Sequence, residues 1–369
     1  MIKHSIPYWR LSTFYWFYFA SLGVVIPYWS LYLDSLGFEA ESIGELMAIL
    51  MVTKIIAPYL WSWIADHTGH CMRIIRFASI FSSIAFLGVF LNSSFWWLAL
   101  VMLLFSFFWN ASLPQFEVNT LNHLGENRHQ YSVVRLWGSL GFVFAVITVG
   151  LLLDTFGYQL VPISIFVLYV LIVVASYLVS DAKQLHPHSS HQSISKVLKQ
   201  PHIIALFLIC FLMQVSHGPY YTFYSLYLKQ FDYSSTTLGG LWALAVMSEV
   251  VLFMFMHKLM PKYKPRFLLI IALFLTTLRW LLIGRYVESF WVVIFAQCLH
   301  AASFGLYHAV VIELIHRNFK GKLQGRGQAL FSAVSFGAGG AVGTLISGAY
   351  WEEYSPQIIF GMAAIASFV

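Results

Sequence analysis

The chain has 369 residues, of which 59% are hydrophobic, 18% aromatic and only 10% charged, with a formal net charge of +6 and a mean hydropathy of +0.75. That balance excludes a water-soluble domain and predicts an all-α polytopic membrane protein, because a chain this apolar has to close its backbone hydrogen bonds inside helices. Cys71, Cys210 and Cys298 stand apart, which excludes a disulfide framework and a CxxC site.

Apolar runs able to cross about 30 Å of hydrocarbon occur at about 8–33, 39–65, 73–91, 95–119, 132–153, 158–180, 201–228, 235–257, 266–284, 289–315, 324–350 and 355–369, which predicts twelve transmembrane helices. The first run is too long for a signal-peptide core and lacks a small-residue cleavage site, so it is expected to stay as the first helix. Sixteen of the 21 Lys and Arg lie before the first span or in even-numbered connections, and only Lys229 and Arg285 in odd-numbered ones. The positive-inside rule then puts the N-terminus and the central linker in the cytoplasm. The same asymmetry accounts for the net charge, so no nucleic acid partner is implied.

Residues 21–48 align without a gap on 216–243 at an offset of 195, with nine of 28 positions identical and SLYL shared. Both copies begin in a span that leaves the cytoplasm, so the halves share one orientation. Parallel pseudo-symmetric six-helix bundles of this kind are the arrangement of the major facilitator fold. The expected division is a first bundle at 1–180, a cytoplasmic linker at 181–200 and a second bundle at 201–369, whose last helix is a few residues short by the same offset. The linker's His186, His188 and His191 suit a solvated polar segment, and neither metal nor cofactor is expected.

A charge at bilayer depth costs roughly 3 kcal/mol on insertion scales and marks a pathway or site by default. In chain order such groups are Lys54 in the second span, Glu117 in the fourth, Arg135 in the fifth, Glu249 in the eighth and Arg279 in the ninth, while Glu45 and Glu313 lie closer to the surfaces. At offset 195, Lys54 falls on Glu249. Glu117 and Arg135 flank a polar turn between antiparallel spans, so they are expected at similar depth. Three stripes at helical spacing accompany them: Asn110, Pro114, Glu117, Leu121; Gln214, His217, Tyr221, Tyr224; and Gln297, His300, Phe304, Tyr307. Pro114 removes a helix hydrogen bond, and glycines at 138, 141, 337, 339, 340, 343 and 348 allow close helix approach.

YSVVRLWGS at 131–139, IPYWSLYL at 26–33, SEVVLFMF at 248–255 and QCLHAASF at 297–304 carry a resemblance to the phenylpropionate permease family of the major facilitator superfamily, related to lactose permease and the nucleoside:proton symporters. The likeness runs along essentially the whole chain. It implies that Glu117 and Arg135, eighteen residues apart as in lactose permease, bind substrate, that Glu249 couples substrate to proton movement, and that Arg279 serves proton release. His300 matches that relative's His, but Ser303 stands where its proton-carrying Glu would be, which leaves Glu249, then Glu117, as carrier. In the loop after the second span only Asp66 and Gly69 survive of the superfamily's basic gating signature.

The resulting expectation is a proton-coupled symporter of a small organic solute in a bacterial inner membrane, driven by the proton gradient and working as a monomer. Lys54, Asn110, Glu117, Arg135, Gln214, His217, Tyr221, Trp242, Gln297 and His300 are the expected substrate contacts, with further aromatic walls from Tyr28, Trp29 and Tyr224. Glu249, Glu117, His300 and Arg279 are the expected proton-coupling groups. An aromatic carboxylate fits the bases and rings, and a sugar or nucleoside that Glu117 and Glu249 would accept from is the alternative. With no HExxH, GxSxG or similar constellation inside a span, no enzymatic role is expected, and a sensor on the same fold is the remote alternative.

Overall fold

Lipid leaves the α-helix as the structure that satisfies every backbone group of a single spanning segment, and the apolar runs form α1 (Tyr8–Ser35), α2 (Ala40–Thr68), α3 (Cys71–Phe86), α4 (Phe95–Leu124), α5 (Tyr131–Phe156) and α6 (Leu160–Tyr177). The second half supplies α7 (Pro201–Lys229), α8 (Ser235–Lys262), α9 (Pro265–Tyr286), α10 (Phe290–Asn318), α11 (324–354) and α12 (356–368). The computed structural model describes residues 6–182 and 194–369. The linker histidines His186, His188 and His191 lie outside the described residues, as do the side chains of Asp66 and Lys322.

Among the described residues ten continuous apolar stretches are long enough to span, against the twelve expected. The difference arises at two corners. A 3₁₀ turn at Gly125–Gln130, entered through Gly125 at φ 52° and kinked at Asn127, joins α4 to α5, and α11 runs into α12 through Ser355, whose φ of 73° precedes Pro356. Treating the limbs of these two stretches separately gives the numbering α1 to α12.

The two halves reuse one packing device. Gly23 on α1 lies against α5, where a Cβ would sit 2.8 Å from the Phe142 carbonyl oxygen; Gly218 on α7, at the same register, lies against α11, where a Cβ would sit 2.2 Å from the Gly343 carbonyl carbon. The chain ends rich in Lys and Arg lie at one end of the bundle, the basic end, and the opposite end is termed the far end. Contacts between the halves concentrate at the far end, where α2 packs on α11 and α5 on α8. Among the described residues α4 makes no extensive contact with the second half, nor does α5 with α10 or α11. The halves therefore close at the far end, and at the basic end α4 and α5 stand apart from α10 and α11 while α2 still touches residues 324–332, so that the cleft between them reaches the middle of the bundle.

Gly218→Val should overpack this junction and cost about 1–3 kcal/mol, read as a lower melting temperature of the purified protein. Gly240→Ala, where a Cβ meets nothing within 4 Å, should show no loss.

Candidate functional site

Arg279 on α9 is fully buried, and hydrocarbon supplies it no partner, so its fork is satisfied by α10. Its Nε donates to the Ala296 carbonyl at 3.1 Å, one terminal nitrogen donates to His300 Nδ1 at 2.9 Å and Ser303 Oγ at 3.0 Å, and the other donates to Gln297 Oε1 at 2.8 Å. Each of these acceptors is uncharged. The guanidinium also lies 4.1 Å from the Tyr220 ring centroid and 4.6 Å from that of Trp280, faces that favour a cation.

Because an arginine has only donors, His300 Nδ1 must be an acceptor, which puts the hydrogen on Nε2. Nε2 lies 2.7 Å from Glu249 Oε1 on α8 and donates to it. A guanidinium, a neutral imidazole and a carboxylate thus run in series from α9 through α10 to α8. Gln297 extends the network, donating to the Leu241 carbonyl at 3.2 Å and accepting from Tyr220 at 3.3 Å.

The first half brings the other predicted pair together. Glu117 Oε1 lies 4.0 Å from Arg135 Nε, with side chains 38% and 28% exposed, and accepts a hydrogen bond from the Tyr131 hydroxyl at 3.1 Å. Arg135 also stands 3.6 Å from the Phe19 ring centroid. Lys54 is half-buried on α2, and its Nζ has Met51 Sδ at 3.6 Å but no carboxylate partner among the described residues.

Other expected contacts point elsewhere. Asn110 donates to Thr53 Oγ1 at 2.9 Å, turned toward α2 within its own half. Gln214 is buried where α7 meets Gly339. Buried His217 donates from Nδ1 to the Met213 carbonyl at 2.8 Å, leaving Nε2 without a partner, and its ring meets Trp280 and Tyr221 at 4.9 and 5.7 Å. Trp242 is buried, donates to Ser225 Oγ at 3.1 Å and packs 4.6 Å from Tyr220. Gln214, His217, Trp242 and Gln297 thus lie beneath the cleft surface, while Tyr221, Glu249, Glu117, Arg135 and Lys54 retain exposure.

Of the further aromatic walls, Tyr224 joins the buried cluster around Tyr220, Tyr28 donates to the Val146 carbonyl at the far end at 2.6 Å, and Trp29 donates to Met102 within the first half. Gly69 caps α2 in the left-handed conformation, at φ 70°, one turn beyond Asp66. Sequence reasoning missed Tyr131 and Tyr220 as network members, although Tyr131 opens the YSVVRLWGS segment. It also missed Ser303 as an acceptor for Arg279, though its place one turn after His300 was legible.

Two π-helical turns complete the site. One spans Ala301–Leu306 directly after His300, and a Cβ on its Gly305 would sit 3.6 Å from Glu249 Cγ. The other spans Ala333–Gly339 on α11 and packs on α2, where a Cβ on Gly337 would sit 2.4 Å from Ile55 Cγ1, beside Lys54. Each of the two pseudo-equivalent ionic positions therefore adjoins a helix turn wound one residue too wide, a feature frequent at functional sites.

A model of the family described as MFS_1 like matches residues 8–362. The chain belongs to the MFS_1 like family. Among its relatives, a probable 3-phenylpropionic acid transporter of Escherichia coli (strain K12) is 28% identical over 367 residues, covering 96% of this chain and 94% of the relative. A maltose permease of Geobacillus stearothermophilus is 24% identical over 365 residues, covering 96% and 91%. The crystal structure of a mutant of the nucleoside transporter NupG matches with a TM-score of 0.87 at 16% identity, covering 98% of this chain and 96% of the other, a likeness of fold. This MFS_1 like protein is accordingly a major facilitator transporter and not an enzyme.

Arg279→Leu in the MFS_1 like protein should destabilise the fold by about 3–5 kcal/mol, because it strands Glu249 as an uncompensated buried charge. Adding Glu249→Gln should recover much of that loss, and thermal denaturation of the single and double variants measures the coupling.

Proposed function

We propose that the protein is a proton-coupled symporter of a small organic anion, an aromatic carboxylate of the phenylpropionate kind, that works by alternating access. The observation that carries this reading is the electrical balance of the cleft. Arg135 has Glu117, and Arg279 is linked through neutral His300 to Glu249, whereas Lys54 has no anionic partner among the described residues. A lone cation at this depth is costly, and a substrate carboxylate is the partner it lacks. Arg135 and the exposed edge of Tyr221 give such a substrate a second cationic contact and a ring to stack on.

Glu249 is the proposed proton carrier. Protonation removes its charge while its carbonyl oxygen still accepts from His300 Nε2, so the chain to Arg279 survives. The carrier with both substrate and proton, or with neither, can close, and the half-loaded carrier meets a desolvation penalty. Glu117 stands second, because Arg135 beside it already balances its charge. The resemblance to the E. coli relative supports the substrate class. The distribution of Lys and Arg supports a bacterial cytoplasmic membrane with the N-terminus and the basic end inside, and the completeness of the cleft within one chain supports a monomer.

The maltose permease relative favours a second reading, a neutral sugar or nucleoside held by hydroxyl hydrogen bonds to Glu117 and Glu249. Thermal shift of the purified protein against 3-phenylpropionate, maltose and uridine separates the readings. A ligand at a hundred times its dissociation constant adds about 2.7 kcal/mol, and stabilisation by maltose or uridine but not by the carboxylate would overturn the first. No shift with any ligand, and no solute-dependent proton flux in proteoliposomes, would favour the sensor.

Lys54→Gln should weaken binding of the carboxylate by at least about tenfold, the scale of a lost charge-assisted hydrogen bond, with no loss of thermal stability. Glu249→Gln should abolish uptake driven by a proton gradient and retain counterflow exchange, measured with labelled solute in the same vesicles.

A further inference from the structure

The far-end seal is built from bonds that cross between the halves at matching registers. Asp34 on α1 and Lys229 on α7, 195 positions apart, pair with each other at 3.0 Å, on the pseudo-two-fold axis itself. On either side of them a carboxylate from one half meets the N-terminus of a helix from the other. Asp154, in the last turn of α5, accepts from the Ser235 amide at 2.7 Å, the Thr236 amide at 2.9 Å and the Thr236 hydroxyl at 2.6 Å, all in the first turn of α8. Glu352, near the end of α11, accepts from the Ala40 amide at 3.2 Å, in the first turn of α2. Ala40 and Ser235 are again 195 apart.

The two arms share a plan but differ in polar bonding. The α5/α8 arm has three short bonds to Asp154, a further Ser234 cap on Thr237, and the Tyr28 hydroxyl wedged between the Val146 and Ser235 carbonyls. The α2/α11 arm has a single longer bond, and the cap position of α2 makes no side-chain bond. Its helices meet through Gly44 and Gly348, where a Cβ on either would sit within 3 Å of the other's Cα. The α11 strut is also irregular on both sides of that contact, with the π-turn at Ala333–Gly339 below and the positive φ of Ser355 above. Over Tyr131–Phe156, α5 has neither feature.

We propose that the far end opens asymmetrically: the α2/α11 arm parts first, through the π-turn of α11, while the α5/α8 arm stays closed as the hinge. The π-turn packs on α2 beside Lys54, so whatever occupies Lys54 acts on the arm that moves. A rigid rocking of two halves would instead break both arms together.

The test uses the full chain in nanodiscs without any ligand, so its outcome is independent of the substrate reading. Spin labels replace Glu41 and Glu353 to report the α2/α11 arm, or Thr155 and Gly240 to report the α5/α8 arm, after Cys71, Cys210 and Cys298 are substituted. Pulsed electron resonance gives the distances. Two substitutions weaken the first arm in different ways: Glu352→Gln removes the charge, and Ala40→Pro removes the N–H. Proline is tolerated at the first helical position, and Glu39 before it already holds the extended ψ of 160° that proline demands.

Each substitution should raise the long-distance population of the first pair about tenfold, the scale of one charge-assisted hydrogen bond, and leave the second pair unchanged. Ser235→Pro, which removes one of Asp154's three bonds, should move neither pair. For Glu352→Gln and Ala40→Pro, joint lengthening of both pairs, lengthening of the α5/α8 pair alone, or no change in either would overturn the proposal, as would lengthening of the α5/α8 pair by Ser235→Pro.

Discussion

Hydrocarbon has no hydrogen bond to offer, and this one property of the solvent decides where each polar group of the chain goes. A fully buried guanidinium persists at Arg279 because α10 presents it with a carbonyl, an imidazole nitrogen, a hydroxyl and an amide oxygen within one reach. Glu249 is tolerated because His300 turns its N–H toward it. Remove the solvent constraint and nothing would force these side chains onto the faces where the helices of the second half meet one another and the cleft. The aromatic cluster around Tyr220 has the same origin: the Tyr220 and Trp280 rings give the cation a polarisable face, and the Tyr220 hydroxyl donates to Gln297.

The halves are copies in backbone and opposites in charge. One register holds Lys54 in the first and Glu249 in the second, and another holds Asp34 and Lys229. Where the like-numbered positions meet at the pseudo-axis, opposite charge makes a bond, as at Asp34 and Lys229. Where they lie apart along the cleft, opposite charge leaves an ammonium with no carboxylate partner among the described residues at one register and a carboxylate bonded to His300 at the other. A duplicated bundle with identical charges at these registers would repel itself at the far end. Divergence of a few side chains on a shared backbone is therefore enough to turn structural symmetry into chemical asymmetry.

Asymmetry also enters through the backbone. Both π-turns belong to the second half, one beside Glu249 and the other beside Lys54. A turn wound one residue too wide stores an alternative register that ordinary helix does not have. The second half thus carries both π-turns, and the first half meets one of them through α2, beside Lys54.

The sequence alone determined that the chain lies in a membrane as helices, that it is a tandem of two like-oriented bundles, and that Glu117 meets Arg135, because hydropathy, an offset of 195 and an antiparallel hairpin are one-dimensional signals. It also marked Glu249, Arg279 and His300, since any ionisable residue amid apolar ones is conspicuous. Only the tertiary structure decided that Arg279 fixes the tautomer of His300, that Asn110, His217 and Trp242 turn away from the cleft while Lys54 has no counter-ion among the described residues, and that Asp154 and Glu352 cap helices of the opposite half. Those outcomes depend on which face of a helix meets which neighbour, and on bonds between residues 21 to 312 positions apart. Helical periodicity fixes a stripe, but only packing against a particular partner fixes what the stripe touches.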